Sequence, residues 1–195
     1  MMKKLFLLFS FIALTVGVSA QVSDFQKAVA RFKTAQEATA SVTKTRQNVV
    51  KKEAQTSKGT LEMKKPGHVC ISIDGGKDML LMEGNNFTMT VGGKKHTTTS
   101  QGNPQFATFQ AVFECILSGG QHDLSKYSDL KVERKGQDQV LTITPVAANK
   151  KGQRRMMFTS FVLTVDAKTS ALKSLRMNER KGSYTEYTFT NFQLK

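Results

Sequence analysis

In the C-terminal third of the chain, two short polar turns separate three extended runs. The runs cover residues 156–165, 172–178 and 184–192, and they are rich in aromatic, β-branched and threonine residues, as β-strands are. Turns this short join antiparallel neighbours, because a parallel pair needs a long crossover. The pattern therefore predicts that the chain ends in an antiparallel meander.

In the middle of the chain, before this meander, apolar and polar residues alternate. Val69, Ile71 and Ile73 alternate with polar neighbours, which is typical of a half-buried strand. A more polar extended segment covers residues 42–56, and strand patterns resume at residues 130–145. Together these segments predict a mainly β (α+β) fold, with a single highly curved antiparallel sheet of about ten or eleven strands.

Two segments have the 3.6-residue periodicity of amphipathic helices. In residues 22–40 the apolar face consists of Phe25, Ala28, Val29 and Phe32. In residues 104–117 it consists of Phe106, Phe109, Val112, Phe113, Ile116 and Leu117. A sheet of this size curls, and its interior either fills with side chains or holds a ligand. The phenylalanine-rich helix is suited to plug the open concave side.

The first twenty residues have the features of a signal peptide. Two lysines precede an apolar core at residues 5–16, and Val18-Ser19-Ala20 supplies a small-residue cleavage site. About twelve apolar residues are too few for the alternative, a membrane anchor that spans roughly 30 Å of hydrocarbon. No cysteine follows the site to accept a lipid. We expect residues 1–20 to be cleaved and residues 21–195 to form one exported, soluble domain without a lipid anchor.

The composition is strongly basic. The chain has 29 basic and 15 acidic residues and a formal net charge of +14, which becomes +12 when the two leader lysines are removed. Export excludes nucleic acid as the partner of this charge. Anionic lipid headgroups or lipopolysaccharide-like surfaces are the expected counterpart. The alternative is a merely solvated basic surface, since the positive residues are scattered.

Catalytic chemistry has little support in the sequence. His68, His96 and His122 lie far apart in the chain, and none has a second ligand at metal-binding spacing. There is no Gly-x-Ser-x-Gly motif, and the glycine pairs lie between strands rather than at the start of a helix. We expect no enzymatic activity, no metal and no cofactor.

The sulfur-containing residues leave alternatives open. Cys70 and Cys115 form either a disulfide, as an oxidising compartment permits, or two free, partly buried thiols. Seven of the nine methionines lie in predicted strands. Their soft side chains suit a cavity for irregular apolar guests, and they equally suit simple core filling.

Several short motifs follow one another along nearly the whole mature chain. They are Gly59-x-Leu61-x-x-x-Lys65-Pro66, a hairpin after Asp74-Gly75, Leu141-x-Ile143-x-Pro145, Val162-Leu163-Thr164-Val165-Asp166, Leu172-x-x-Leu175, Gly182-x-Tyr184-Thr185 and Phe189-Thr190-Asn191-Phe192. In order and spacing they resemble a divergent branch of the periplasmic outer-membrane lipoprotein carrier (LolA-like) family.

This resemblance implies an unclosed antiparallel β-barrel with helices over its mouth and an apolar cavity that shields lipoprotein acyl chains. The protein would be a soluble periplasmic carrier that delivers this lipid toward the outer membrane. The implied partners are lipoprotein acyl chains or other lipid, an inner-membrane release complex and an outer-membrane acceptor, with transient membrane contact. The resemblance implies a monomer that binds neither nucleic acid nor a cofactor.

The chain departs from the family at two positions. The family usually has an arginine, tied to lid closure, where this chain has Lys65 before Pro66. Lysine is a point charge rather than a five-donor fork, so these two residues are gating candidates whose action need not match the family's. Met79-Leu80-Leu81-Met82 replaces an aromatic motif, which suggests a different cargo or release partner.

The expected site consists of inward-facing strand residues beneath the second helix. The expected lipid-binding cavity is lined by Leu61, Met63, Val69, Ile71, Leu80, Phe87, Met89, Val91, Phe158, Leu163 and Leu175. The expected lid face consists of Phe106, Phe109, Phe113 and Ile116.

Two other functions fit the same fold. A sensing or protein-interaction module of the envelope would bind one protein partner stably, whereas a carrier would exchange cargo with a donor and an acceptor membrane. An envelope scaffold would have a filled core and no cavity.

Overall fold

The computed structural model describes residues 16–49, 52–99, 106–146 and 156–195. In these ranges eleven strands form one antiparallel sheet that carries two α-helices on its concave side. The strands are β1 Glu37–Asn48, β2 Glu53–Lys64, β3 His68–Ile73, β4 Asp78–Glu83, β5 Asn86–Val91, β6 Lys94–Thr99, β7 Leu130–Lys135, β8 Asp138–Ile143, β9 Phe158–Asp166, β10 Leu172–Glu179 and β11 Tyr184–Leu194. The helices are α1 Val16–Ala28 and α2 Ala107–Leu117, and a 3₁₀ helix, Ala30–Lys33, follows α1.

The strand order is β6-β5-β4-β3-β2-β1-β11-β10-β9-β8-β7. The first and last strands pair at the centre, so β1–β6 form one half of the sheet and β7–β11 the other. The edge strands β6 and β7 do not pair with each other, which leaves the curved sheet unclosed. The predicted mainly β fold, an unclosed barrel of about ten or eleven strands with helices, is confirmed.

Period-two patterning explains how the sheet builds its core. In β3, Val69, Ile71 and Ile73 are buried, whereas the intervening residues are partly exposed. Successive side chains of a strand point to opposite faces, so in the strands with alternating burial the apolar set faces the concave side. These residues and the faces of both helices form one continuous hydrophobic core.

Two glycines allow the helices to approach closely at the end of α2. Gly119 and Gly120 have positive φ angles of 67° and 89°, a region that L-residues with a side chain rarely adopt. A Cβ on Gly119 would lie 2.5 Å from the Lys33 backbone nitrogen, and one on Gly120 would lie 2.4 Å from the Gln26 carbonyl oxygen. Only glycine fits at these two contacts, which set α2 against α1 and the 3₁₀ helix.

The structure corrects two local predictions. The helix predicted for residues 22–40 ends at Ala28, continues as the 3₁₀ helix and gives way to β1 at Glu37. Alternating burial of Ala38, Ala40 and Val42 belongs to a strand and not to a helix face. The extended segment predicted for residues 42–56 is also divided, because a hairpin turn separates β1 from β2.

The N-terminal leader and part of the second helix prediction lie beyond these ranges. Residues 1–15 and Pro104 are outside the described residues, and cleavage after residue 20 stays a prediction. No described helix is long and apolar enough to cross a membrane.

Candidate functional site

A cavity of about 550 Å³ lies between the two halves of the sheet on its concave side. Its size is within the roughly 300–1,000 Å³ of small-molecule sites. The lining residues are Lys44, Arg46, Asp78, Phe87, Met89, Thr90, Val91, His96, Thr97, Thr98, Phe106, Met157, Phe158, Met177, Glu179, Thr185 and Tyr187. They come from β1, β4–β6 and β9–β11, together with the residue that precedes α2.

The cavity opens at one end of the sheet, which we call the mouth end. This end carries the turns β1–β2, β3–β4, β5–β6 and β10–β11 and the start of β9. Two of the lining side chains are also about half exposed there, Val91 at 46% and Met157 at 59%. The interior of the cavity is therefore continuous with the surface of the mouth end.

Aromatic and methionine side chains form the apolar wall. The Phe106 and Phe87 rings are stacked with centroids 4.0 Å apart, and Phe87 also meets Phe109 edge-on at 5.9 Å. Met89 and Met177 contribute thioethers from opposite halves of the sheet. Flexible thioethers and adjustable rings can mould themselves to an irregular apolar guest.

Charged residues form the opposite wall, and the register of β1 places them there. Along the inner face of β1, the buried Ala38, Ala40 and Val42 are followed by Lys44 and Arg46. The same face that builds the core thus becomes cationic as β1 reaches the mouth end.

An ion pair connects β1 to β4 within this charged wall. The Lys44 ammonium donates to the Asp78 carboxylate, which also accepts the Gly92 backbone N–H at 2.7 Å. Burial acts to raise the pKa of Asp78, but these two hydrogen bonds outweigh it and hold the pKa below its usual value. Burial, reinforced by the Asp78 charge, raises the pKa of Tyr187, which pairs with Lys44 across β1 and β11.

The structure divides the predicted cavity residues into two groups. Phe87, Met89, Val91 and Phe158 line the cavity. The others lie in the packed core and are at most 2% exposed; they are Leu61, Met63, Val69, Ile71, Leu80, Leu163 and Leu175. They face inward as predicted, but the helices cover them. Their contact with lipid stays a prediction that requires the helices to move.

The predicted lid residues divide in the same way. Phe106 lines the cavity, whereas Phe109, Phe113 and Ile116 are at most 1% exposed and pack in the core. The Phe109 ring lies 5.0 Å from those of both Phe113 and Phe161. In the described conformation α2 fills the concave side, and opening it as a lid stays a proposal.

The gating candidates Lys65 and Pro66 lie at the end of the sheet opposite the mouth. The Lys65 ammonium donates to the Lys33 backbone carbonyl at 2.9 Å, and its backbone N–H donates to Gln36 at 3.1 Å. Lys65 therefore binds the segment that joins the 3₁₀ helix to β1. It does not contact the cavity, and a gating role stays a prediction.

Both cysteines are free thiols. Cys70 alternates with the inward-facing Val69 and Ile71, so it lies on the outer face of β3, while Cys115 is buried in α2 on the inner side. The sheet separates the two sulfurs, which is why the candidate disulfide is not formed. Burial raises the pKa of the Cys115 thiol to about 12.

The charged wall is the part of the site that sequence reasoning missed. Lys44 and Arg46 continue the i, i+2 series of Ala38, Ala40 and Val42, and this signal was available in the sequence. The sequence contains no signal for the pairing of Lys44 with Asp78, because β2 and β3 lie between their strands in the sheet.

The histidines occupy three separate places. His68 lies near Glu62 and Glu83, His96 is at the cavity, and His122 approaches Glu114. Within the described ranges, no group of three histidine, cysteine, aspartate or glutamate residues could hold a metal ion.

Comparison with known families identifies the architecture. The family model described as outer membrane lipoprotein carrier protein LolA matches residues 33–195. The chain belongs to this family. The match covers the whole sheet, α2 and the charged wall, and it confirms the resemblance drawn from the sequence motifs.

Solved structures with a similar fold are distant from this LolA-family chain. A DUF1329 family protein from Desulfovibrio piger is 13% identical, with 91% of this chain and 93% of that chain covered and a TM-score of 0.46. An outer membrane lipoprotein-sorting protein domain from Vibrio parahaemolyticus is 12% identical, with the same coverages and TM-score. A LolA superfamily protein from Nitrosomonas europaea is 10% identical, with coverages of 89% and 92% and a TM-score of 0.38. No curated protein sequence matches the chain.

Proposed function

We propose that this protein is a non-catalytic periplasmic carrier that shields lipoprotein acyl chains, or a similar lipid, and delivers them toward the outer membrane. The observation that supports this most is the open-ended cavity with its phenylalanine and methionine wall, formed in a chain of the LolA family. Export through the predicted leader and release of cargo to an outer-membrane acceptor are parts of this proposal.

The volume of the cavity indicates how much lipid the described conformation can hold. A methylene group takes about the volume of a liquid water molecule, roughly 30 Å³. A cavity of about 550 Å³ therefore has room for one acyl chain of ordinary length. Each buried CH₂ contributes about 0.8 kcal/mol, so a single chain already gives substantial binding energy.

Additional acyl chains require the interior to expand. The seven buried strand residues beneath α2 provide further apolar surface if this helix moves outward. Since Phe106 and Phe87 join the start of α2 to β5, their stacking holds the helix in place in the described conformation. We propose that entry of lipid displaces this contact.

Two measurements on lipid-free residues 21–195 test the function. A fluorescent fatty-acid probe should bind in solution at one-to-one stoichiometry and should be displaced by a lipopeptide. Transfer of a labelled lipopeptide from donor to acceptor vesicles should then accelerate in proportion to protein concentration. Probe binding without transfer would favour the sensing alternative, and absence of probe binding would contradict any lipid-binding function.

A further inference from the structure

The exposed large hydrophobic side chains of the described residues gather at the mouth end. They are Val49, Val91, Val146 and Met157, and they are between 46% and 69% exposed. Val49 is in the β1–β2 turn, Val91 ends β5, Met157 precedes β9, and Val146 is three residues beyond β8. Register pairing places these four positions at the same end of the sheet.

Exposed lysines surround the same opening. They occur in the turns and strand ends of the mouth end and are Lys52, Lys77, Lys94, Lys95 and Lys181. The exposed carboxylates there are Glu53 and Asp74. The Asp78 carboxylate is turned into the cavity, where Lys44 neutralises it. The surface of the mouth end is therefore cationic.

The opposite end of the sheet has a different charge arrangement. Lys64 pairs with Glu62 at 2.6 Å, and the Lys173 ammonium lies 2.6 Å from Asp138 and 3.2 Å from Asp166. Carboxylates thus balance these two lysine charges at the end where the cavity does not open.

We propose that the mouth end is a membrane-docking face that binds an anionic bilayer surface. Its lysines would contact lipid phosphates while the four apolar side chains enter the headgroup region. Basic residues near an anionic surface attract it additively, and apolar side chains set the depth of insertion. This orientation would place the cavity opening against the lipid, so that an acyl chain can move between bilayer and cavity without crossing water.

Charge reversal with a matched control tests this placement. The mouth variant carries Lys77→Glu, Lys94→Glu and Lys95→Glu, and the control carries Lys33→Glu, Lys135→Glu and Lys168→Glu at the other end. Both triple variants have the same net charge. Co-sedimentation of lipid-free protein with phosphatidylcholine vesicles, with and without phosphatidylglycerol, gives the affinity.

We expect binding only to the vesicles that contain phosphatidylglycerol, with weaker binding at higher salt. The mouth variant should lose at least about 100-fold in affinity, since one lysine near an anionic surface contributes roughly fivefold and the introduced glutamates add repulsion. The control should lose far less. Equal losses in the two variants, or no association of the wild-type protein with these vesicles, would overturn the proposal; the latter result would point to an acidic protein as the partner.

A second experiment tests how much the exposed apolar side chains contribute to vesicle binding. It also distinguishes membrane docking from binding of lipid in the cavity. Val49→Asn and Val146→Asn alter residues that do not line the cavity. The double variant should bind anionic vesicles several-fold more weakly and should bind the fatty-acid probe in solution as the wild type does. Unchanged vesicle affinity would contradict insertion of these side chains, whatever the result for probe binding.

Discussion

Phe106, immediately before α2, stacks on Phe87 of β5 with ring centroids 4.0 Å apart and an interplanar angle of 19°. Both rings line the cavity, and both belong to the continuous core. This contact links the helix that fills the concave side to β5, in the first half of the sheet. The same two side chains therefore contribute both to the packing of the core and to the wall of the cavity.

Phe106→Ala should change both the rate at which the cavity releases lipid and the free energy of unfolding, and comparison with a control variant distinguishes the two effects. Loss of a buried phenylalanine costs about 3–5 kcal/mol of unfolding free energy. Because this ring also lines the cavity, its loss removes contacts with the bound probe, and release of the fatty-acid probe should become several-fold faster in stopped-flow measurements. Phe113→Ala is the control: Phe113 is buried in the same helix but does not line the cavity. It should be similarly destabilised with an unchanged release rate, and equally fast release from both variants would contradict the role given to Phe106.

Asp78→Asn should lower the free energy of unfolding at neutral pH and should have little effect on it in acid. The native pKa of Asp78 is lowered, so its stabilisation is complete above the unfolded pKa of about 3.9 and disappears as pH falls through the native pKa. For a half-buried pair we expect a loss of about 1–2 kcal/mol at pH 7, between the values for exposed and buried pairs. Urea unfolding at neutral and acidic pH measures the difference. Asp74→Asn, at an exposed position nearby, should have little effect at either pH, and a pH-independent loss in Asp78→Asn would exclude the ion pair as its cause.

Gly119→Ala should be much more destabilising than Gly136→Ala. The two glycines have nearly the same φ, 67° and 63°, so alanine has a similar backbone cost of roughly 1–2 kcal/mol at each. A Cβ at position 136 has nothing within 4 Å, whereas one at position 119 would clash with the Lys33 backbone. Denaturant midpoints of the two variants isolate the packing cost of this contact. Equal midpoints would mean that the close approach of α2 to the 3₁₀ helix contributes little to stability.

The thiols should stay unbridged in an oxidising compartment, because the sheet lies between Cys70 and Cys115. Mass spectrometry of periplasmic protein without reductant should give the mass of the dithiol form. Cys115 should react with a thiol reagent only after unfolding, since burial raises its pKa to about 12 and removes it from solvent. A peptide map that contains a Cys70–Cys115 crosslink would contradict the described packing of α2.

Hydrophobic patterning predicted the sheet well wherever one face of a strand is buried. The inward series of Val69, Ile71 and Ile73 determines both the strand and its orientation. The hairpin between β1 and β2 was missed because β2 is exposed on both faces near Glu53, so no alternation identifies a strand, and the turn has no glycine or proline. Alternation of apolar and polar residues identifies a strand that is buried on one face. It cannot identify a strand that is exposed to solvent on both faces.

The cavity could be predicted only in part for a related reason. Inward orientation of Leu163 follows from alternation with Phe161 and Val165, whereas Phe158 is out of phase with them and faces inward because the β9–β10 register shifts between Phe158 and Ser160. Leu163 lies beneath packed side chains, and Phe158 borders open space. That difference depends on where α2 rests, which long-range packing decides. The two glycines after α2 indicated a helix end, yet their contacts with Gln26 and Lys33 follow from the tertiary fold alone.

The measurement that tests the central claim most directly is native mass spectrometry, combined with lipid extraction, on the protein purified gently from a periplasm. The account predicts a bound lipid or lipopeptide at close to one-to-one stoichiometry, and the extract should contain acyl chains. A lipid-free mass, from protein that also fails to bind the fatty-acid probe, would contradict the carrier function and leave a protein-interaction module or a scaffold as the explanation of this fold.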